Sequence, residues 1–226
     1  NEHIGGFMKI LITLLSFLFC SCTPLQSATR NVVKTYYSSG KIKNNISVKD
    51  DKKNGPMTSY FENGKLAVEG YFTNDERDKK WTFYDQNTGN ISAIETYSNG
   101  LLEGEQFYYY PDGQIKMKGN YKQDERVGFW QVYRPNGSLE IQNIFLDGER
   151  IVSIAFYEEN GVISSSGLLQ DGEKNGPWQY FDDNGKILYD VIYRSGIRDG
   201  EWKGYDEKGN IIVTGYYNNG TILGLE

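Results

Sequence analysis

One glycine recurs along the chain at a nearly constant interval, and this period restricts the fold more than any other feature. Successive copies are 24 residues apart, except for one interval of 25 residues. Each copy is usually the second residue of an Asn-Gly or similar pair, which is typical of tight turns. A fixed period of this length indicates a tandem repeat. The eight turn glycines are Gly40, Gly64, Gly89, Gly113, Gly137, Gly161, Gly185 and Gly209.

Apolar residues keep the same spacing around each turn glycine. In the second repeat, Tyr60 stands four residues before Gly64, Leu66 two residues after it and Phe72 eight residues after it. Alternation of this kind around an Asn-Gly pair predicts a β-hairpin, because such turns need positive φ. A second turn follows each long strand. The sequence therefore predicts an all-β fold: an elongated, twisted single antiparallel sheet of about eight tandem 24-residue β-hairpin repeats, with about sixteen strands.

The geometry of the first turn decides which residues share a face of the sheet. A two-residue loop would place Phe61 opposite Leu66, whereas a three-residue loop closed by a left-handed glycine would place Tyr60 opposite Leu66. Residues three before the turn glycine are mostly polar, and those four before it (five in the third repeat) are always aromatic. Since a one-residue slip exchanges the faces, we predict the three-residue loop. The aromatic row and the Ile/Leu row then share the core face.

The short strands carry a second row of apolar residues, which the predicted register places on the opposite face of the sheet. Two interpretations stay open: the sheet curls so that this row packs on itself, or the row is an exposed stripe that grips a ligand. In the second case it is a candidate binding stripe. Its members are Trp81, Phe83, Tyr108, Trp130, Phe156, Trp178, Tyr180 and Trp202.

Several repeats resemble the MORN pattern. The residues that carry this resemblance are Gly119-Asn120-Tyr121 followed by Asp124 and Gly128, and the segment from Gly215 to Gly220 followed by Gly224. The resemblance implies a sheet of hairpin repeats, and such repeats occur in proteins of many functions.

A closer resemblance is to the variant repeat of the YwqK-type antitoxin family. It consists of a Tyr, then Asn-Gly-Lys-Ile/Leu, Gly-x-Tyr and Gly-x-Trp-x-x-Tyr, and it is clearest in Phe61 to Phe72 and Pro177 to Tyr193. It covers about residues 31–226, which we predict to be one MORN-like β-hairpin repeat domain. The resemblance implies an antitoxin or immunity role, in which the repeats cover and neutralise a toxic protein.

Residues 1–30 are typical of a targeting segment. Met8 and Lys9 precede the apolar run from Ile10 to Phe19, which is too short to span a bilayer and fits a secretory signal peptide. The segment Phe19-Cys20-Ser21-Cys22 resembles a bacterial lipobox, which implies diacylation of Cys22. An ordinary cleaved signal or an uncleaved anchor is the alternative.

We therefore expect an upstream extension over 1–7, a signal peptide over 8–21 and a lipidated linker over 22–30, with Cys22 as the lipidation site. Two or three acyl chains hold a protein firmly at a membrane. These features predict secretion across the inner membrane and a membrane-anchored lipoprotein of the cell envelope.

The charge of the chain argues against nucleic acid as a partner. The formal net charge is −6 and the pI is near 5.0, whereas phosphate binding needs a basic face. Acids and bases are interleaved along the chain, so we predict no charged patch.

Catalytic constellations are missing from the predicted mature chain. The single histidine, His3, precedes Met8, and Cys22 is the last cysteine. Catalytic triads, Cys-His dyads and zinc sites are therefore not expected, nor is a phosphate-binding loop. We predict no catalytic residues, no metal and no cofactor, hence no enzyme.

The leading hypothesis is a non-catalytic scaffold on the cell envelope that binds a protein partner, with a toxin as the partner that the family resemblance implies. The alternative is a glycan or cell-wall binding module, since aromatic Gly-rich hairpins also resemble choline-binding repeats. A structural spacer is a third interpretation.

Overall fold

A computed structural model describes residues 31–146 and 153–225, so the predicted signal peptide and Cys22 lie outside the described residues. Within these ranges every regular element is a β-strand. In chain order the strands are β1 Asn31–Tyr36, β2 Ile42–Lys49, β3 Lys52–Tyr60, β4 Leu66–Thr73, β5 Glu76–Tyr84, β6 Ile91–Ser98, β7 Leu101–Leu102, β8 Gly104–Tyr109, β9 Ile115–Lys122, β10 Glu125–Tyr133, β11 Leu139–Phe145, β12 Ser153–Tyr157, β13 Ile163–Gln170, β14 Glu173–Phe181, β15 Ile187–Arg194, β16 Ile197–Tyr205, β17 Ile211–Asn218 and β18 Thr221–Leu225.

The eighteen strands of the described ranges form one open antiparallel sheet, which confirms the predicted fold class. Consecutive strands pair with each other from β1 with β2 to β17 with β18, except that β7 and β8 both pair with β6. Two strands exceed the expected sixteen. One predicted short strand is split into β7 and β8 at Glu103, and β18 follows the last second turn. In the described part of the chain, no helix has the length and apolarity needed to cross a membrane.

The first turn has the predicted three-residue loop in every repeat except the third, whose loop from Gln86 to Gly89 has four residues. Tyr60 pairs with Leu66, and Gly64 has a φ of 88°. The Gly64 N–H donates to the Phe61 carbonyl at 2.8 Å, and the Phe61 N–H donates to the Lys65 carbonyl at 2.8 Å. The corresponding aromatic and aliphatic residues pair in the other seven repeats, which confirms the register throughout.

The second turn has positive φ at both central residues. Asn99 and Gly100 have φ values of 49° and 83°, and Asn74 and Asp75 have 50° and 74°. This pattern is that of the type I′ turn, whose twist matches that of the flanking strands. The Asp75 N–H also donates to the Lys53 carbonyl at 2.9 Å, so the turn of one repeat is tied to a strand of the preceding repeat.

The most buried side chains belong to the second apolar row of the short strands. This row was predicted to lie opposite the core face, so the prediction of the core face was wrong. Trp81, Trp130 and Trp178 are 1%, 1% and 0% exposed. Strand alternation places the aromatic row before the turn on the opposite face, where Tyr84 and other members are half-buried. The surface that carries Trp81, Trp130, Trp178 and Trp202 is called the tryptophan face below.

A glycine lies beneath each of the three buried indoles, on the long strand that precedes it. The pairs are Trp81 on Gly70, Trp130 on Gly119 and Trp178 on Gly167. A methyl group added to these glycines would lie 2.3, 2.2 and 2.4 Å from the nearest ring atom. Because the ring occupies the space of a missing side chain, it can sit low enough on the sheet to be covered by its neighbours. The space above each of these glycines is called the seat of the indole below. It is the physical reason why the tryptophans are the most buried side chains.

The contacts of Trp178 illustrate how a seated indole is enclosed. Its Nε1–H donates to the Leu168 carbonyl at 2.9 Å, so the ring is anchored to the backbone of the preceding strand. Phe156 stacks on it with a centroid distance of 6.4 Å, and Tyr193 meets it edge-on at 6.2 Å. Trp81 and Trp130 donate to backbone carbonyls in the same way, at 3.2 and 3.1 Å.

The intervening repeats have no such glycine and no seated tryptophan. Glu95 occupies the glycine position before Gln106, and Asn143 occupies it before Ile154. Gln106 is fully buried, accepts a hydrogen bond from the Thr96 N–H at 2.9 Å and donates to the Thr96 carbonyl at 3.1 Å. The amide therefore satisfies the backbone group that receives the indole N–H in the other repeats.

Trp202 departs from this arrangement. Val191 occupies the glycine position before it, and the indole lies instead over Gly215, where an added methyl group would be 2.3 Å from Nε1. This Nε1 is buried and has no hydrogen-bond partner among the residues that the structure describes. The added side chain of Val191 therefore displaces the last tryptophan from the seat used by the other three.

We predict that Gly167→Ala destabilises the protein by about 1–3 kcal/mol or more, because the new methyl group overlaps the Trp178 ring. Denaturant and thermal unfolding measure the change. Gly224→Ala is the matched control, since a methyl group there would meet nothing within 4 Å. Equal unfolding midpoints for the two variants would show that the packing of Trp178 on Gly167 does not stabilise the protein.

Candidate binding face

The predicted binding stripe lies on one face of the sheet, but its members differ in access to solvent. Trp81, Trp130 and Trp178 are buried, which favours self-packing for these three rings. A partner on this face would therefore not reach their indoles. The remaining members are half-buried: Phe83, Tyr108, Phe156, Tyr180 and Trp202. Binding by the stripe stays a prediction.

A cation covers each buried indole on the side away from its glycine. The Arg77 guanidinium carbon lies 4.5 Å from the Trp81 ring centroid, and Arg126 lies 4.5 Å from Trp130. The Lys174 ammonium nitrogen lies 4.1 Å from the Trp178 centroid. These distances are within the range of cation–π attraction. Each seated tryptophan is thus held between a glycine and a cation.

The covering cations belong to a row that the sequence reasoning missed. Each stands thirteen residues after a turn glycine, so the signal was present in the repeat frame. Type I′ turns hold their backbones: the Gly100 N–H donates to the Arg77 carbonyl at 2.8 Å, and the Gly196 N–H donates to the Lys174 carbonyl at 2.9 Å. The described members are Lys53, Arg77, Arg126, Lys174 and Arg198.

Phenol hydroxyls are the polar partners of four of these five cations. Arg77 Nη1 donates to the Tyr97 hydroxyl at 2.8 Å, and Lys174 Nζ donates to the Tyr180 hydroxyl at 2.7 Å. Arg198 donates from Nε to Tyr193 at 3.3 Å and from Nη1 to Tyr217 at 3.4 Å. These hydrogen bonds orient the cations without neutralising them.

The tryptophan face is therefore positively charged, contrary to the expectation of no charged patch. Its strand positions carry the five cations of the row and one carboxylate, Glu95, although the whole chain has a net charge of −6. In residues 31–146 and 153–225, none of the five forms an ion pair with a carboxylate. Acids and bases alternate in the sequence, but strand pairing sorts them onto different surfaces.

A cavity of about 190 Å³ opens at the end of the face where Trp202 has moved aside. Val191 and Trp202 form its apolar wall, and Arg198 lies at its border. Tyr189 and Tyr217 complete the lining. In this repeat the cation does not cover an indole; it lies 5.5 Å from the Tyr217 centroid. Arg198 is half-buried at this cavity and, where the capping cations cover a tryptophan, it lies over a tyrosine.

Burial and neighbouring charges shift the pKa values of several tyrosines of this face. Burial and the neighbouring Glu95 carboxylate raise the pKa of Tyr97 and of Tyr108 to about 12. The Tyr97 hydroxyl donates to Glu95 at 2.6 Å. The hydrogen bond to Tyr193 raises the pKa of Arg198 above its ordinary value, so the guanidinium stays charged. No group of three or more His, Cys, Asp or Glu in the described ranges could hold a metal ion.

We predict that stability falls as the pH rises from 10 through about 12, partly because Tyr97 and Tyr108 must ionise beside Glu95. A phenol whose folded-state pKa is raised stabilises the fold below its unfolded pKa and loses this effect above the folded value. Glu95→Gln should flatten the dependence, and Glu62→Gln, in an exposed turn, should not. Thermal unfolding across this pH window measures both, and equal slopes would contradict the prediction.

Comparison with known proteins places four segments of the chain in one family model. Residues 53–74, 102–123, 174–195 and 198–223 match the MORN repeat variant model. Each match begins at the position thirteen residues after a turn glycine and includes the following first turn. No curated protein matches the chain.

Solved structures show weaker likeness. A Staphylococcus aureus TarM mutant in complex with fondaparinux, alpha-GlcNAc-glycerol and UDP is 9% identical, with a TM-score of 0.31 over 42% of this chain and 19% of that chain. The glycosylation-associated Gap123 complex from Streptococcus agalactiae is 23% identical, with a TM-score of 0.29 over 46% and 19%. Accessory secretory protein 1,2 and 3 from Streptococcus pneumoniae is 18% identical, with a TM-score of 0.17 over 56% and 19%.

The chain therefore spans about a fifth of the length of these solved chains. The four family matches and the hairpin sheet agree with each other, and the chain is a repeat protein that carries MORN repeats.

Proposed function

We propose that this chain is a non-catalytic repeat scaffold on the cell envelope that binds a protein partner. The observation that carries the proposal is the tryptophan face, an extended surface on a single open antiparallel sheet of hairpin repeats. Four of its five cations have phenol partners, and none has a carboxylate partner among the described residues. Such a surface is equipped to contact a second molecule over several repeats.

The finer part of the proposal is that the partner is a toxin and that the chain is its antitoxin or immunity protein. Its support is the resemblance of the variant repeats to the YwqK-type antitoxin family. The envelope location rests on the lipobox resemblance at Cys22. A toxin neutralised by an anchored protein would have to act in the envelope or pass through it.

Affinity purification tests the proposal. The full chain with a C-terminal tag is expressed in its native host, cross-linked in intact cells and isolated from the membrane fraction. We expect the same protein to be enriched in repeated purifications and to be absent with an unrelated tagged lipoprotein. Repeated recovery of no protein, or recovery of cell-wall glycan alone, would contradict it.

A further inference from the structure

We infer that the cation row of the tryptophan face, together with the cavity beside Arg198, docks an acidic extended segment of a protein partner. The inference rests on the proposed function and names the surface and the chemistry of the partner. The cations are the contact groups, whereas the buried indoles beneath three of them are structural.

Charge complementarity is the first argument. The face carries five cations against one carboxylate, while the net charge of the chain is −6, so an acidic partner is attracted to this face and repelled elsewhere. The cations have donors left for a ligand: a guanidinium has five N–H donors, and the hydrogen bonds of Arg198 to Tyr193 and Tyr217 use two of its nitrogens. A planar guanidinium with free donors matches a carboxylate in a bidentate geometry.

The spacing of the cations determines the shape of the ligand. Lys174 on β14 and Arg198 on β16 are two strands apart, which corresponds to about 10 Å. Arg77 on β5 and Arg126 on β10 are separated by four strand spacings, or about 19 Å. One compact anion cannot reach such positions together. A peptide in the polyproline II conformation rises about 3.1 Å per residue with three residues per turn, so carboxylates at every third position lie on one side, about 9 Å apart, and would meet Lys174 and Arg198 together.

The composition of the surface favours a polypeptide over other polyanions. Arg, Tyr and Trp are the residues that most often carry binding energy at protein interfaces. Here Arg198 stands beside half-buried Trp202, Tyr189 and Tyr217, which line a cavity of about 190 Å³. This cavity offers an apolar wall next to a cation, so it fits an apolar side chain adjacent to an acidic one.

The test uses the full chain and two synthetic peptides. One peptide carries Glu at every third position with Leu and Ser between, and the other has Gln in place of each Glu. We expect the Glu peptide to bind, with affinity that falls as salt rises, and the Gln peptide to bind at least about tenfold more weakly. Isothermal titration calorimetry measures both.

Two sets of substitutions locate the binding surface. Arg77→Gln, Arg126→Gln, Lys174→Gln and Arg198→Gln together remove four of the five positive charges of the face and keep most of the stems over the aromatic rings. Lys80→Gln, Lys118→Gln, Arg194→Gln and Lys203→Gln together make the same charge change at strand positions that alternate away from this face. We expect the first set to lose at least about tenfold in peptide affinity. The second set should change the affinity little, through the altered net charge alone. Arg198→Gln alone, which uncovers no seated tryptophan, repeats the test if the first set unfolds.

Three outcomes would overturn the inference. The two sets could weaken binding equally, the first set could bind as well as the original chain, or anionic vesicles or a uronic-acid polysaccharide could bind in preference to the peptide. A partner captured equally by the original chain and by the first set would refute this surface while the proposed function stands. If no partner is captured, the proposed function fails, and peptide binding still reports on the surface.

Discussion

The contact between an indole ring and a glycine backbone is the interaction on which this sheet depends. A single-layer sheet has no second layer against which to bury an apolar face. Here the largest side chains lie on glycines of the neighbouring strand and are covered by a cation and by aromatic neighbours. The face therefore buries its largest side chains without a second layer. Each indole–glycine contact joins two successive repeats.

The contact recurs in alternate repeats, so the structural unit of the tryptophan face is a pair of hairpins. Trp81, Trp130 and Trp178 are separated by 49 and 48 residues, twice the hairpin period. Glu95 and Asn143 occupy the intervening glycine positions, and Gln106 and Ile154 replace the indoles there. Where Val191 precedes Trp202, the alternation ends in a displaced ring and a cavity. The position at which packing is least regular is thus the position best suited to hold a ligand.

The turns and the register could be predicted because they depend on residues that are adjacent in the sequence. Gly64 sets the loop, and the aromatic residue Tyr60 identifies the paired position. The buried face could not be assigned in this way, because the burial of Trp178 depends on Gly167 on another strand. The cation row was missed for a related reason: Glu173 and Lys174 are neighbours in the sequence but alternate between the two faces of β14. The repeat frame contained both signals, and strand pairing was needed to interpret them.

Fluorescence quenching tests the central claim most directly. In a Trp202→Phe variant the remaining tryptophans are the three that lie between a glycine and a cation. The account predicts that acrylamide quenches the emission of the folded variant far less than that of the same variant unfolded in denaturant. Quenching of the folded variant to the extent of the unfolded one would show exposed indoles and would contradict the account.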